Sequence, residues 1–233
     1  MNAYPELIST IALVLGLGWA SGINLYAAIA ALGIAGATGY VDLPVELKTV
    51  QDPLVIGAAV LMYAVEFLAD KTPGVDTAWD TIHTFIRIPA GALLAAGAVG
   101  DVAPALQISA GLVGGAMATG SHFTKASSRV LINTSPEPLS NWGASIGEDV
   151  LVLGGLWAML NYPWLFVAAM IVFVALVIWL APKLWRLVKA VFQRIGTWLG
   201  IYKDPRKRER PAVSSGATDT VIKQASTGSD STS

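Results

Sequence analysis

Residues 164–180 read WLFVAAMIVFVALVIWL, without a single charged side chain. A bilayer core is crossed by a helix of about 20 predominantly apolar residues. With Pro163 ahead and Pro182 behind, this stretch is a membrane helix that nearly fills that length. Working back toward the N-terminus, five further apolar stretches appear: Ile146–Leu160, Ala105–Gly120, Ile88–Gly100, Leu54–Ala69 and Leu7–Gly39. Several are shorter than a standard span, which fits tilted helices with polar extensions or re-entrant segments. Leu7–Gly39 is too long for one straight crossing. It is interrupted at Ser21-Gly22-Ile23-Asn24, and reads as one long span or as two half-helices meeting near Gly22. The expected fold class is all-α: a polytopic helical membrane protein of about six spans, some short or broken.

Composition agrees. Of 233 residues 54% are hydrophobic and 13% charged, where a soluble domain carries about a quarter charged residues. The chain has no cysteine and two histidines. Disulfides, thiolate metal sites and a cysteine nucleophile are thereby excluded, and no metal or other cofactor is expected. The start, Met-Asn-Ala-Tyr-Pro-Glu, lacks a basic n-region, so the first apolar block reads as a retained span.

The chain divides into three parts. Residues 1–181 form the transmembrane helical domain. In 182–202, Leu184, Val188, Val191, Ile195 and Trp198 recur at helical spacing, with Lys183, Arg186, Lys189 and Arg194 mostly off that stripe. This pattern suits an amphipathic basic helix lying in the membrane interface, with anionic lipid as its partner; the alternative is an extension of the sixth span. Residues 203–233 are polar and Ser/Thr-rich, with too little apolar surface to order, and read as a disordered tail. The remaining partner expectations are the bilayer itself and a homo-oligomer, with no nucleic acid.

Lys and Arg favour the cytoplasmic side. The basic residues after the sixth span therefore go inside, and counting back puts 121–145 and 70–87 inside and the intervening turns outside. A first stretch that crosses once leaves the N-terminus inside as well. The expected location is a bacterial inner membrane with both termini cytoplasmic.

A weak internal repeat can also be read, the alternative being chance recurrence of Pro, Gly and Leu, which are frequent in such sequences. Thr72-Pro73, Trp79 and Gly91-Ala92-Leu93 correspond to Ser135-Pro136, Trp142 and Gly154-Gly155-Leu156 at a constant offset of 63. Duplicated halves are common in transport folds, which place their site where the repeats meet.

Ionisable residues among these stretches are the strongest functional signal, because a charge in hydrocarbon is costly and faces the bundle interior or water. Glu66 and Asp70 are four apart and share a helix face with Tyr63; His122, Lys125 and Arg129 share another. Both groups are expected at the cytoplasmic side, which invites pairing of the two acids with Lys125 and Arg129. A third stripe is Asp76, Asp80, His83 and Arg87, with Ile82 and Phe85 pointing elsewhere. It reads either as a proton relay or polar-solute path or as the solvated face of an amphipathic helix. Ser145-x-x-Glu148 fits a capping box opening the fifth helix, which leaves Asp149 unexplained. Asn24, inside the first stretch, either bonds a neighbouring helix or lines a site where the helix breaks. Gly111 and Gly115 mark close helix packing. No nucleophile elbow, phosphate-binding Gly loop or His-Glu-x-x-His is present.

The leading functional expectation is a small transporter or channel for an ion, proton or small polar solute. Its path would be lined by Asp76, Asp80, His83 and Arg87, with Glu66, Asp70, Lys125, Arg129, Asn24 and Asp149 beside it. The alternatives are a scaffold or assembly factor locked by structural salt bridges, and a lipid-handling protein. An enzyme is not expected.

The strings Ser21-Gly22-Ile23-Asn24-Leu25-Tyr26, Asp70-Lys71-Thr72-Pro73-Gly74-Val75-Asp76, Trp79-Asp80-Thr81-Ile82-His83-Thr84-Phe85-Ile86-Arg87-Ile88-Pro89-Ala90-Gly91 and Asn133-Thr134-Ser135-Pro136-Glu137-Pro138 resemble the prokaryotic membrane-protein family catalogued as domain of unknown function 4126. The resemblance spans about residues 8–180. It implies a polytopic membrane protein and carries no activity and no functional residues.

Overall fold

A computed structural model describes residues 3–72, 75–132 and 138–198. Six α-helices follow one another: α1 (Ala3–Ala37), α2 (Pro53–Ala69), α3 (Val75–Ala98), α4 (Pro104–Ile132), α5 (Pro138–Asn161) and α6 (Pro163–Trp198), with a 3-10 segment at Val45–Gln51. Prolines open α2, α4, α5 and α6, where the missing N–H costs nothing. Asp52 caps α2 by accepting from the Leu54 N–H at 2.8 Å. Residues 1–188 form one compact unit; of the second, 189–233, the described part, 189–198, is the end of α6.

The helix limits differ from the sequence expectations at three places. The third apolar stretch is only the second half of α3, which starts at Val75 and runs through Pro89. The polar stripe Asp76–Arg87 and the stretch after it are thus one helix. The fifth helix starts at Pro138 rather than Ile146, so Ser145 and Glu148 lie inside it and form no capping box. The sixth helix continues through Pro182 to Trp198 without interruption. The expected tail, 203–233, and the repeat's Pro73 and Ser135-Pro136 lie outside the described residues.

The interior is assembled from small residues that let backbones meet. Glycines 18 and 22 of α1 lie against Gly114 and Ala118 of α4, and Gly114 in turn packs on Gly91 and Ala95 of α3. A side chain at Gly18, Gly22 or Gly114 would collide with backbone; this is small-residue packing of the kind membrane helices use. Gly155 of α5 receives the Trp19 ring and Gly91 of α3 receives Ser21, whereas Gly154, the position 63 residues after Gly91, has nothing within 4 Å.

Asn24 breaks α1. Its backbone leaves the helical region (φ −146°, ψ 92°), and its Oδ1 accepts from the Ala27 N–H at 3.0 Å, as an N-cap does. The two arms, 3–23 and 25–37, then run in opposite directions. Going down the first arm, Gly16 meets Met159, Trp19 meets Gly155, and Asn24 meets Asp149. Going along the second, Leu32 and Ala35 share a cavity wall with Leu156 and Leu160, and Tyr40 donates to Asn161. Both arms track α5 in opposite senses, so α1 is a helical hairpin with its tip at Asn24. Its start lies against Val99, Val102 and Leu106, at the end of the bundle where α3 passes to α4. Its second arm finishes at that same end, where Gly33 and Gly36 meet Val50 and Gln51. The single crossing behind the expected N-terminal placement is therefore replaced by a hairpin that enters and leaves at one end.

Among the described residues, three helical stretches are by length and composition apolar enough to cross a membrane: Tyr4–Ala37, Trp142–Asn161 and Pro163–Ala190. A fourth arises if Val45–Gln51 and Pro53–Ala69, bent by 64°, are one span. In α3 charges are turned inward and apolar side chains outward: Arg87 is 0% exposed while Phe85 is 82% exposed. Ile82, Leu93, Leu112, Ile171 and Ile178 likewise face out. Water as solvent penalises that order and lipid favours it.

Candidate functional site

Four helices and the hairpin tip converge on one buried charge cluster. Spacing of four brings Glu66 and Asp70 to the inner face at the end of α2, and spacing of seven brings Asp80 and Arg87 together on α3. Lys125 and Arg129 project from α4, and Glu148 and Asp149 from α5. Arg87 binds Glu66 Oε1 at 2.6 Å through Nη2 and Asp80 Oδ1 at 2.8 Å through Nη1. Lys125 Nζ lies 2.9 Å from Asp70 Oδ2, 3.3 Å from Glu66 Oε1, 3.3 Å from Glu148 Oε2 and 3.7 Å from Asp80 Oδ1. Arg129 grips Glu148 in a fork, Nε to Oε1 at 3.1 Å and Nη2 to Oε2 at 2.8 Å, and reaches Asp70 Oδ2 at 3.4 Å and the Asp70 carbonyl at 3.1 Å. The forked geometry is the arginine–carboxylate pairing that a lysine cannot reproduce.

The hairpin tip is wired into this cluster. A helix break frees backbone carbonyls, and in lipid each must find a donor. Lys125 Nζ takes the Ile23 carbonyl at 3.1 Å and Ser121 Oγ takes the Trp19 carbonyl at 2.9 Å. Ser21 Oγ donates to the Arg87 carbonyl at 2.8 Å. On the other side of the break Asn24 Nδ2 donates to Asp149 Oδ1 at 3.1 Å, and the Tyr63 hydroxyl approaches the same carboxylate. A cation thus sits at the carboxyl end of the first arm and an anion at the amino end of the second, each where the helix dipole favours it.

Both histidines are engaged at both ring nitrogens. His83 Nδ1 donates to the Trp79 carbonyl at 2.9 Å, so Nε2 accepts from the Tyr26 hydroxyl at 3.1 Å, and the ring stacks on Trp79 at 4.2 Å. His122 Nδ1 faces Arg87 Nη1, which can only donate, at 3.3 Å. Its Nε2–H points at Thr84 Oγ1 at 2.7 Å, whose own proton goes to the Asp80 carbonyl. Asp76 is buried in the first turn of α3. Lys71, just past α2, lies over the Phe67 ring and donates to the Phe67 carbonyl at 3.2 Å. Burial lowers its ammonium pKa against the opposing pull of Asp149 and Asp70.

Of the ten sequence candidates, Glu66, Asp70, Asp80, Arg87, Lys125 and Arg129 share one ion-pair network, with Asn24 and Asp149 joined to its edge. His83 sits on the Asp80–Arg87 stripe but bonds to Tyr26 and Trp79 rather than to a charge. Sequence reasoning passed over Glu148, which the apparent capping box had absorbed; Pro138, a residue typical of a helix start, was the signal that α5 begins earlier. Ser21, Ser121 and Tyr26 were not singled out individually, since nothing local marks which hydroxyl will meet a broken helix. Among the described residues no group of three His, Asp or Glu side chains has metal-binding geometry.

An all-helical membrane protein with an ion-pair network buried around a helical hairpin is the class these features define. Residues 11–183 match the family model described as Domain of unknown function (DUF4126), and the chain belongs to that family. Comparison with curated proteins and with solved structures finds no match.

Proposed function

We propose that the protein is a small membrane transporter or channel for an ion, proton or small polar solute, with the charge cluster as its binding point and the α1 hairpin as its moving part. The observation that supports this most is the meeting of buried charge with a broken helix: Lys125 holds the Ile23 carbonyl and four carboxylates at once, while Asn24 holds Asp149. Transport folds use half-helix ends in this way to bind ions near mid-membrane. Purely structural ion pairs have no need of carboxylate oxygens left over, yet Glu66 Oε2, Asp70 Oδ1 and Asp80 Oδ2 are buried without a hydrogen-bond partner among the described residues.

In this reading α2 to α6 each cross the membrane and α1 dips in and returns. The preference of Lys and Arg for the cytoplasmic side favours a cytoplasmic position for Lys71, Lys183 and Arg186. The N-terminus then lies outside and α6 runs inward, in a bacterial inner membrane. Lys183, Arg186 and Lys189 would meet anionic headgroups there. The test is flux in proteoliposomes, read with pH- and cation-sensitive dyes. The parent is expected to move at least one species above protein-free vesicles, and a folded Asp80→Asn variant to move less. Equal flux in parent and empty vesicles, or in parent and variant, refutes the proposal.

A second reading, lipid handling, is favoured by one feature. A cavity of about 370 Å³ opens beside α4 and α5, walled by Trp19, Ile23, Leu151, Met170 and Phe173, with Lys125 and Glu148 at its polar end. Movement of a fluorescent lipid between leaflets in the same vesicles, without ion flux, would favour it over the first.

A further inference from the structure

We propose that Asp149 is a proton-binding site whose occupancy controls the hairpin tip, so that the proton is the coupled ion; this rests on the transport reading for its purpose. Among the described residues, the ion pairs within 4.0 Å join Glu66, Asp70, Asp80 and Glu148 to Arg87, Lys125 and Arg129. Four carboxylates already face three cations there, so the network has no positive charge to spare. Asp149 belongs to none of these pairs. Its Oδ1 is held by the uncharged Asn24 amide at 3.1 Å, with the Tyr63 hydroxyl beside it, and its Oδ2 is buried without a hydrogen-bond partner among the described residues. The charged groups that face it are Lys71 and Asp70 at the end of α2, Lys125 on α4 and the adjacent Glu148; α1 presents only Asn24. A carboxylate in a membrane interior without a paired cation is relieved by taking a proton.

Neither histidine ring has its hydrogen bonds to Asp149. Each has both ring nitrogens engaged, His83 between Trp79 and Tyr26 and His122 between Arg87 and Thr84.

Proton uptake at Asp149 acts on the hairpin through Asn24. The same side chain that binds Asp149 through Nδ2 caps the second arm through Oδ1, at Ala27. Ionised Asp149 also lies at the amino end of that arm, where a negative charge is favoured. Forming an O–H bond at Oδ2 removes the charge, and with it the attraction that holds the tip. The proton comes from hydronium, whose O–H bond breaks to leave water, and no oxidation state changes.

The experiment is amide hydrogen exchange of residues 24–30 across pH, corrected for the intrinsic rate, on the full chain in proteoliposomes. A parallel titration counts protons bound. In the parent, exchange should rise through one transition as pH falls. Asp149→Asn should exchange fast at every pH, show no transition and bind one proton fewer. Tyr63→Phe, which removes a donor to the carboxylate and leaves Asp149 in place, should move the midpoint to higher pH. A parent without a transition in 24–30, an Asp149→Asn protein that retains it, or an unmoved midpoint in Tyr63→Phe overturns the assignment. A transition without any flux refutes transport and leaves the proton site standing.

Discussion

Arg87→Met removes the guanidinium and keeps most of the side chain's length. Arg87 is wholly buried, and so is its partner Glu66. Without it Glu66 retains only Lys125 at 3.3 Å, and Asp80 only Lys125 at 3.7 Å. Arg129 still serves Glu148 and Asp70, but Glu66 and Asp80 are left to share the one ammonium of Lys125. Removing one member of a buried ion pair costs ~3–5 kcal/mol, because the partner stays buried and uncompensated. An exposed pair is worth ~1 kcal/mol or less. Since whole domains are stable by only ~5–15 kcal/mol, the variant should lose a large share of its stability and express poorly. Unfolding titrations in mixed micelles measure the loss. The double variant Glu66→Gln/Arg87→Met separates charge from packing: with the stranded carboxylate neutralised, it should recover ~1 kcal/mol or more of the single variant's loss. A loss below ~1 kcal/mol in Arg87→Met, or no recovery in the double variant, refutes the buried network.

Three further outcomes follow from the same coordinates. Gly18→Val drives a side chain into the Gly114 backbone and should destabilise by ~1–3 kcal/mol, whereas Gly57→Ala and Gly143→Ala meet open space and should be neutral or stabilising in the same unfolding titrations. Asn24→Ala removes the cap of the second arm and should cost ~1 kcal/mol, with faster amide exchange confined to the hairpin tip. In intact vesicles, single cysteines at the exposed positions Tyr4 and Asp42 should label with a membrane-impermeant maleimide from the same side, and one at the exposed Arg186 from the other. The cysteine-free parent provides the background. Labelling of Tyr4→Cys and Asp42→Cys from opposite sides would show that α1 crosses straight through.

The charged faces were legible because helical spacing is local information. Four-residue steps put Glu66 with Asp70 and Lys125 with Arg129, and a carboxylate in an apolar helix must look for a cation. The pairs of Lys125 with Glu66 and Asp70, and of Arg129 with Asp70, follow from those two facts. Glu148 was hidden because a serine three residues before a glutamate has the same pattern at a helix start and inside a helix. Only the earlier start of α5 separates the two. The partners of His83 were hidden for a related reason: its spacing places it on the Asp80–Arg87 stripe, but the ring bonds Tyr26 from another helix and the Trp79 carbonyl from the turn before it.

Composition and periodicity by themselves settled that the chain is all-helical, that lipid is its solvent and which residues must turn away from that solvent. They left open the course of α1, since a break at Asn24 is compatible with a kinked crossing or with a reversal. Tertiary packing decided it. Gly18 and Gly22 seat the first arm against α4, the second arm climbs back along α5, and the carbonyls exposed at the turn are taken by Lys125 and Ser121 of α4. Spacing fixes which face of a helix is polar; the direction the chain takes after a break depends on what is waiting to bond the broken ends.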